Sequence, residues 1–340
     1  MKFLIIRFSS IGDIVLTTPV VRCLKKQVTD AEVHYLTKQS FASILRSNIY
    51  IDKVHLLRDN INEVISELQQ EDFDYVIDLH HNLRSLKIKN RLGKPSYSFN
   101  KLNIEKWLLT ALKINRLPEI HIVDRYLETL RSFGVKNDGA GLDYFIPENE
   151  RVKESDIPAS HHAGYIGIVI GAALATKKYP LHKLKELCAS IQHPVILMGG
   201  REDEAEGNEI AKSDPVKIYN SCGKFSLNES ADLVRRAKLI ITNDTGLMHI
   251  ATAFKRPVIS LWGNTVPEFG MYPYYGENYL RASSKAGSEN NRPFDILEVK
   301  KLPCRPCSKI GYKKCPKGHF KCMEMISSTE IIDLANKRLR

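Results

Sequence analysis

The segment Asn243–Ala251, Asn-Asp-Thr-Gly-Leu-Met-His-Ile-Ala, combines residue types that suit it to bind an anion. An apolar strand pattern precedes it, and an apolar helix pattern begins inside it. The first turn of a helix presents unpaired N–H groups and the positive end of the helix dipole, so Thr245 and Gly246 could hold a phosphate. His249 lies four residues after Thr245, on the same helix face. The alternative interpretation is that Asp244 only caps the helix and that His249 is a core residue.

A second polar segment, Ser9–Asp13, directly follows the predicted first strand. Gly12 allows a tight turn, and Asp13 would then stand at the carboxyl end of the sheet, where a carboxylate could act as a general base. A single glycine does not make the G-x-G-x-x-G fingerprint, and the Walker sequence is absent, which argues against nicotinamide or flavin binding. The alternative interpretation is that Asp13 is an N-cap.

Strand and helix patterns alternate along both halves of the chain. Short apolar runs between amphipathic helical patterns favour parallel sheets covered by helices. The basic segment Leu92–Pro118 is predicted to be irregular, the segment His121–Phe133 a helix, and the polar segment Pro147–Ala163 a linker. The predicted strands are Phe3–Phe8, Glu32–Leu36, Lys53–Leu57, Tyr75–Leu79, Tyr165–Ile170, Pro194–Met198, Val216–Tyr219, Leu239–Thr242 and Pro257–Leu261.

This alternation predicts an α/β protein with two doubly wound, Rossmann-like domains. The first domain is predicted at residues 1–155, the second at residues 156–326 with a cysteine-rich tail, and a final helix at residues 327–340. Two such domains in tandem place a cleft between the carboxyl ends of their sheets, where ligands of these folds bind.

The composition and charge of the 340-residue chain limit its class. Hydrophobic residues at 43% and charged residues at 26% are typical of a soluble globular protein. No apolar run is long enough to span a bilayer, and the apolar run at the N-terminus is too short for a signal peptide, so we expect a cytoplasmic location. The net charge of +11 predicts an acidic partner. The basic residues are mildly concentrated in Lys87–Arg116 and Lys285–Lys321, without an aromatic-interleaved nucleic-acid motif, which favours a membrane face or phosphorylated lipid.

Two motifs together resemble glycosyltransferase family 9, the heptosyltransferases of lipopolysaccharide core assembly. They are Phe-Ser-Ser-Ile-Gly-Asp-Ile-Val-Leu-Thr-Thr-Pro at residues 8–19 and Asn-Asp-Thr-Gly-Leu-Met-His-Ile-Ala-Thr-Ala at residues 243–253, the latter followed by Arg256–Val258 and Trp262–Pro267. The likeness is collinear over nearly the whole chain. It implies a GT-B fold, with an acceptor-binding N-terminal domain and a nucleotide-sugar-binding C-terminal domain. It also implies inverting, metal-independent transfer of heptose from ADP-heptose to a lipid A–Kdo inner-core acceptor.

The resemblance assigns catalytic roles to Asp13 and Lys177. Asp13 matches the family's base, which takes the proton of the acceptor hydroxyl. Lys177, in the sequence Lys-Lys-Tyr-Pro, is similar to a family lysine that would stabilise charge on the departing diphosphate. Stabilising such charge in a closed site is typically worth about 3–4 kcal/mol per donor. Lys178 is the less suitable neighbour, and a solvated charge pair is the alternative for both lysines.

The implied donor site matches the family's loop without change at Asp244, Thr245, Gly246 and His249, and it includes Gly12 and Gly199. Gly199 follows a strand and resembles the family's nucleotide wall; the alternative is an ordinary strand-to-helix turn. Family members often have hydroxyl residues where this chain has Gly171-Ala172-Ala173, so one or two phosphate hydrogen bonds are missing or backbone N–H groups replace them. Where some members have a ribose-binding glutamate, this chain has Asn228, followed by Glu229.

Acceptor contacts are expected from Arg84 and Arg125 in the N-terminal domain. A planar guanidinium binds a carboxylate or phosphate through two hydrogen bonds. The alternative is that each is an arginine on a helix surface. The expected partners are therefore a nucleotide-sugar donor, an anionic lipid-linked acceptor and the inner face of the inner membrane, with no nucleic acid.

Four cysteines near the C-terminus have the spacing C-x2-C-x7-C-x6-C, with His319 inside it, which is compatible with a tetrahedral zinc. They are Cys304, Cys307, Cys315 and Cys322. Reduced cysteines in a folded loop are the alternative, and no cofactor is expected to be required for the reaction.

Three alternatives to the leading function remain at this point: a GT-B enzyme that uses another nucleotide sugar, a nucleotide-sugar epimerase, and a basic zinc-containing protein that binds nucleic acid.

Overall fold

The computed structural model describes residues 1–284 and 292–340, so Lys285, the first residue of the second basic stretch, lies outside the described residues. The described residues form two parallel β-sheets, one in each half of the chain. No helix in these residues is long and apolar enough to cross a membrane.

The N-terminal sheet consists of β1 (Lys2–Ile6), β2 (Glu32–Lys38), β3 (Lys53–Leu57), β4 (Tyr75–Asp78) and β5 (Ser96–Ser98), in the spatial order β3-β2-β1-β4-β5. The strand pairs are parallel. The order reverses between β1 and β4, which is where doubly wound sheets bind ligands. The helices of this half are α1 (Ile11–Val15), α2 (Thr18–Gln27), α3 (Ile61–Gln69), α4 (Leu83–Leu92), α5 (Asn103–Trp107) and α6 (Ile122–Leu127), with a π-helical turn at Leu108–Leu112 and 3-10 turns at Gln39–Ile44 and Glu128–Phe133.

The C-terminal sheet consists of β6 (Ile166–Val169), β7 (Val195–Met198), β8 (Ile218–Asn220), β9 (Leu239–Asn243), β10 (Val258–Trp262) and β11 (Phe294–Glu298), in the order β11-β10-β9-β6-β7-β8. It too is parallel, and its switch point lies between β6 and β9. Its helices are α7 (Leu181–Ser190), α8 (Glu204–Ala211), α9 (Leu227–Arg236), α10 (Gly246–Ala253), α11 (Glu277–Ser284), α12 (Lys321–Glu324) and α13 (Ser328–Leu339).

Several local predictions are corrected by the structure. The segment Leu92–Pro118 is not irregular throughout, because it contains β5, α5 and the π-helical turn. The segment Pro147–Ala163 forms 3-10 turns, and the Val152 N–H donates to Asp232 in α9, so this segment packs on the C-terminal half. The predicted helix His121–Phe133 is an α-helix followed by a 3-10 turn, and Gly134 ends it in the left-handed conformation.

Alternation along buried strands separates the two faces of each sheet. In β1, Phe3 and Ile5 belong to one apolar cluster while Leu4 and Ile6 belong to another. The first cluster extends across both halves of the chain, since it also contains Met248 from α10. The two sheets therefore share a continuous apolar core at their junction, and this core positions the carboxyl ends of both sheets.

His121 connects the two halves beside this core. It is the N-cap of α6, and its Nδ1 accepts a hydrogen bond from the Val123 N–H. Its Nε2 lies 3.0 Å from the carbonyl oxygen of Tyr272, and its ring stacks on Tyr274. A neutral imidazole satisfies both bonds, whereas a proton on Nδ1 would break the cap. Burial accordingly lowers the pKa of His121 to about 3.

We predict that acidification destabilises the fold in part through His121. The unfolded histidine takes up a proton below about pH 6.5 and the folded one does not, so stability falls as the pH drops below that value. One such residue contributes about 1.4 kcal/mol per pH unit. Urea unfolding of the wild type and of His121→Asn, which keeps an N-cap, should show a shallower pH dependence in the variant between pH 7.5 and 5. The exposed His182→Gln is the control, and parallel curves for His121→Asn and the wild type would contradict the assignment.

Candidate active site

Asp13 lies in the first turn of α1, at the carboxyl end of β1. Its Oδ1 lies 2.7 Å from Nη2 of Arg7, and its Oδ2 accepts hydrogen bonds from the backbone N–H and the hydroxyl of Ser10. Ser10 is the N-cap of this helix. The alternative that Asp13 is itself the N-cap is therefore wrong, because Asp13 occupies the third helical position and closes a capping box.

Arg7 fixes the orientation of this carboxylate, and sequence inspection missed it because it resembles a residue at the end of a strand. Its Nη1 donates to the Leu79 carbonyl at 2.6 Å and to the Tyr126 hydroxyl at 3.1 Å, and its Nε donates to the Ser9 carbonyl. Burial raises the pKa of Asp13, but the charge of Arg7 and the Ser10 hydrogen bonds outweigh burial and hold this pKa below its usual value. Asp13 is therefore ionised at neutral pH.

The loop between β9 and α10 carries the second charged pair. Asp244 Oδ2 lies 2.5 Å from Nζ of Lys177 and accepts a hydrogen bond from the Thr265 hydroxyl at 3.0 Å. The N-cap of α10 is Thr245. The alternative that Asp244 caps this helix is therefore wrong, since its side chain turns to Lys177 and Thr265 instead. The first backbone N–H groups of α10, beginning at Gly246, have no partner within the helix.

His249 joins this loop to the N-terminal domain. Its side chain is 2% exposed, and burial lowers the pKa of His249 to about 4, so the imidazole is neutral at physiological pH. In the part of the chain that the structure describes, Nδ1 of His249 is buried without a hydrogen-bond partner. A Cβ added at Gly12 would lie 2.6 Å from Cδ2 of His249 and 3.3 Å from Cα of Gly246. The two motifs thus meet, and Gly12 contributes close packing between the domains.

Two further residues position Lys177 and Asp244: Asn243, the first residue of the second motif, and Arg305, which lies outside both motifs. Asn243 accepts a hydrogen bond from the Tyr179 N–H and donates to the Val169 carbonyl, which ties the lysine turn to the ends of β6 and β9. Arg305 donates to the carbonyl oxygens of Gly263 and Thr265, so it anchors the cysteine-rich tail to the strand end that carries Thr265. The motif contains Asn243 without indicating this role, and no short motif indicates the role of Arg305.

Other donor-site expectations are resolved differently. Lys178 pairs with Asp203 rather than with Asp244. Asn228 is buried and accepts from the Tyr144 hydroxyl at 2.6 Å, while Glu229 closes the capping box of α9, so both side chains are engaged within the protein. A Cβ at Gly199 would lie 2.7 Å from Oδ2 of Asp203 and 3.0 Å from Sγ of Cys222. Packing within the domain therefore requires this glycine whatever else it contacts. Gly171-Ala172-Ala173 follows β6 and offers no side-chain hydroxyl.

Arg125 and Arg84 occupy different environments in the N-terminal domain. Arg125 is 9% exposed, and its Nη2 donates to the Phe269 carbonyl at 2.9 Å. Its Nε and Nη1 are buried with no hydrogen-bond partner among the described residues. A buried guanidinium with two free nitrogen atoms is a strong candidate for an anion-binding group. Arg84 is exposed in the first turn of α4.

Further cations lie near Asp13. Burial, together with Arg125, Lys309 and Lys101, lowers the pKa of Lys106 to about 8. Burial and Arg7 likewise lower the pKa of Lys101. Mutual repulsion of these groups would be relieved by a bound anion. Lys101 also lines a cavity of about 310 Å³ beside His81 and Asn103. Sequence analysis missed these lysines because they lie in the segment predicted to be irregular.

The cysteine-rich tail does not form a closed metal site in this structure. Its cysteines are free thiols, and Cys304 Sγ lies 3.7 Å from Nε2 of His319. Over residues 1–284 and 292–340, three ligand atoms lie within 4.8 Å of one another only in the group His34, His55 and Glu71. That group lies toward the amino ends of the N-terminal strands, away from Asp13. Zinc binding by the tail stays a prediction.

A family model described as glycosyltransferase family 9 (heptosyltransferase) matches residues 61–293. The chain belongs to glycosyltransferase family 9. Lipopolysaccharide heptosyltransferase 1 of Campylobacter coli is 27% identical over 289 residues, covering 78% of this chain and 84% of the relative. Lipooligosaccharide heptosyltransferase 2 of Campylobacter jejuni is 21% identical over the whole chain and 99% of its own length. The predicted family and enzyme class are confirmed, and the alternative of a non-enzymatic nucleic-acid-binding protein is not supported.

Solved structures are similar over the full length of this glycosyltransferase. A family 9 glycosyl transferase from Veillonella parvula matches with a TM-score of 0.75 at 22% identity, covering 99% of this chain and 97% of that one. The ADP-heptose lipopolysaccharide heptosyltransferase II of E. coli matches with a TM-score of 0.72 at 18% identity, covering 100% and 98%. The iron-containing dodecameric glycosyltransferase TibC of E. coli reaches 0.58 at 13% identity, covering 100% of this chain and 76% of that one. These likenesses confirm the predicted GT-B fold.

We predict that Gly12→Ala destabilises the domain junction through contact with His249. Overpacking of a buried contact costs about 1–3 kcal/mol. His249→Ala alone also destabilises by opening a cavity, but it removes the imidazole atoms that the methyl group added by Gly12→Ala would meet. A double-mutant cycle of unfolding free energies should therefore show that Gly12→Ala costs less in the His249→Ala background. Additive effects of the two substitutions would contradict the close approach at this point.

Proposed function

We propose that this glycosyltransferase transfers a heptose from ADP-heptose to an anionic, lipid-linked inner-core acceptor of lipopolysaccharide, with inversion at the anomeric carbon. The observation that carries the proposal is the meeting of Asp13 with the α10 loop at the domain junction, in a chain of family 9. A base and a diphosphate-binding helix terminus then face one crevice. The heptosyltransferase names of the relatives supply the sugar and the acceptor class.

In this proposal Asp13 takes the proton of the acceptor hydroxyl while the hydroxyl oxygen bonds to the anomeric carbon. The bond from that carbon to the diphosphate oxygen breaks on the opposite face, and its electron pair leaves with ADP. Because the pKa of Asp13 is held low, the carboxylate is a weak base. It accepts the proton late, when bond formation has already acidified the hydroxyl.

The leaving diphosphate is stabilised from the C-terminal domain. Lys177 contributes a positive charge, the first N–H groups of α10 contribute hydrogen bonds and the helix dipole, and His249 can donate one hydrogen bond from a neutral ring. Thr245 and Gly246 would contact the phosphates, and Gly199 would lie beside the nucleotide. These groups supply positive charge without a metal ion, so we propose that the transfer requires no cofactor.

In this proposal each domain binds a different substrate. Residues 1–155 would bind the acceptor through Arg125 and Arg84, and residues 156–326 would bind the donor, with residues 327–340 as a closing helix. The acceptor is anionic, which agrees with the net charge of +11 and with the cations around Asp13. The enzyme would act in the cytoplasm, peripherally at the inner face of the inner membrane.

We predict that Asp13→Asn lowers turnover at least a hundredfold while ADP affinity is nearly unchanged. The amide cannot accept the hydroxyl proton, and general bases typically contribute about 10²–10⁴-fold. Heptose transfer from ADP-heptose to a purified inner-core acceptor measures turnover, and calorimetry with ADP measures affinity. Asp244→Asn is the matched control, because loss of its pair with Lys177 should weaken ADP binding. Wild-type turnover in Asp13→Asn would refute the base, and no transfer by the wild type would refute the proposed function.

We predict that Arg125→Gln raises the KM for the acceptor at least tenfold and leaves ADP affinity unchanged. The reason is that two buried guanidinium nitrogen atoms lose an anionic partner from the substrate. Initial rates at varied acceptor concentration, with saturating donor, separate KM from kcat. Arg131→Gln, at an exposed arginine paired with Glu128, is the control. An unchanged acceptor KM in Arg125→Gln would place the anion elsewhere.

A further inference from the structure

Exposed apolar side chains are concentrated in one part of the N-terminal domain. Trp107 is 53% exposed, Leu112 is 54% exposed, and Ile104 is 72% exposed. In a water-soluble surface such residues are usually scattered singly, and a contiguous group marks an interaction site. Others in the same stretch of chain are Leu83, Leu86 and Ile114.

The helical segment that carries these residues is anchored by its other side. Leu109 is buried in a small cluster with Val266 and Phe269 of the C-terminal half. Ile104 and Trp107 are three residues apart in α5 and exposed, and Ile114 follows the end of the π-helical turn. The exposed residues are therefore not a core left uncovered, because the segment already has a core-facing side.

The charge of the same stretch is strongly positive. Residues 83–116 contain nine Lys and Arg and one acidic residue, Glu105, so they carry a net charge of +8 out of +11 for the chain. Lys89 and Lys94 pair with Asp78 and Asp72, whereas Lys101, Lys106, Lys113 and Arg116 lie in the segment that carries Trp107. Basic side chains around exposed Trp, Leu and Ile are typical of segments that lie in the headgroup region of an anionic membrane.

We infer that residues 101–116, here called the docking face, bind directly to an anionic phospholipid bilayer. Trp107, Leu112 and Ile114 enter the headgroup region, and the surrounding lysines and arginines contact lipid phosphates. The inference deepens the proposed function, on which it rests for the lipid-linked acceptor. The tail borders this face, since Lys309 Nζ lies 3.3 Å from the Asn103 carbonyl and Lys113 Nζ donates to the Pro306 carbonyl.

The position of the docking face relative to Asp13 gives it a consequence for catalysis. Lys101 and Lys106 lie within this face and are electrostatically coupled to Asp13. An acceptor whose lipid tail stays in the bilayer can therefore bring its sugar to the cleft without leaving the membrane. Docking raises the local acceptor concentration and leaves the chemistry itself unchanged.

Tryptophan fluorescence tests the docking face on the intact protein. The chain has two tryptophans, of which Trp262 is 1% exposed and Trp107 is on the face. Vesicles of phosphatidylethanolamine and phosphatidylglycerol at 3:1 should shift the emission to shorter wavelength, while phosphatidylcholine vesicles should not. Trp107→Phe should abolish the shift. An unchanged spectrum of the wild type with the anionic vesicles would overturn the inference.

Vesicle sedimentation with matched triple variants gives the second measurement. The variant Trp107→Asn/Leu112→Asn/Ile114→Asn should bind the anionic vesicles at least tenfold more weakly than the wild type. The control Ile49→Asn/Val216→Asn/Met325→Asn removes three exposed apolar residues elsewhere and should bind normally. Equal loss in both variants, or binding to duplex RNA as strong as to the vesicles, would overturn the inference.

Activity separates this inference from the proposed function. With a deacylated, water-soluble acceptor the docking-face variant should retain the wild-type kcat/KM, and with the acceptor embedded in vesicles it should lose at least tenfold. If the wild type transfers heptose to the soluble acceptor but does not bind vesicles, the docking face is wrong and the proposed function stands. If the docking-face variant loses activity with both acceptors, these side chains act in the substrate site and the inference is again wrong.

Discussion

The close approach of α1 and α10 is the constraint on which the site depends. Neither Gly12 nor Gly246 has a Cβ, and a Cβ at Gly246 would lie 2.7 Å from the Ile11 side chain. Because both backbones come together here, the carboxylate in the first turn of α1 and the N-terminus of α10 lie close to each other at the domain junction. Parallel sheets place both helix starts at carboxyl strand ends, but only the missing side chains let the two strand ends meet. The buried imidazole of His249 packs against Gly12 at this contact.

Paired and unpaired charged side chains have different roles near the contact of α1 and α10. Arg7–Asp13 and Lys177–Asp244 are ion pairs whose further hydrogen bonds hold each side chain in one orientation. Such pairs contribute geometry more than stability, since burial opposes the Coulombic gain. Arg125 lacks this compensation within the described residues. An unpaired buried guanidinium is costly for the protein alone, and that cost is recovered when an anion binds. In the proposed function, the anionic acceptor would bind on the side of Arg125 and the nucleotide diphosphate on the side of Lys177.

Contiguous motifs and fully buried strands could be predicted from sequence, whereas relations between distant residues could not. The apolar run of β1 and the loop around Asp244 carry their signals in adjacent residues. Arg7 could not be recognised, because its role depends on Leu79 and Tyr126, which only the fold brings near it. The short strand β5 and helix α5 were missed because their apolar residues are half-exposed or exposed, so they lack the periodicity that burial imposes. The hydrogen bond between Asn228 and Tyr144 could not be predicted either, because the two residues lie 84 positions apart in the sequence.

Hydrogen bonds connect the cysteine-rich tail to the residues around Asp244. Arg305 lies between Cys304 and Cys307, and it is bonded to Gly263, to Thr265 and to Glu298. Thr265 in turn donates a hydrogen bond to Asp244, so the tail is connected to the loop between β9 and α10, here called the donor loop. On its other side Lys113 of the docking face donates to the carbonyls of Cys304 and Pro306. A metal closed by these thiols would therefore act on the donor loop and on the docking face through the backbone of the tail.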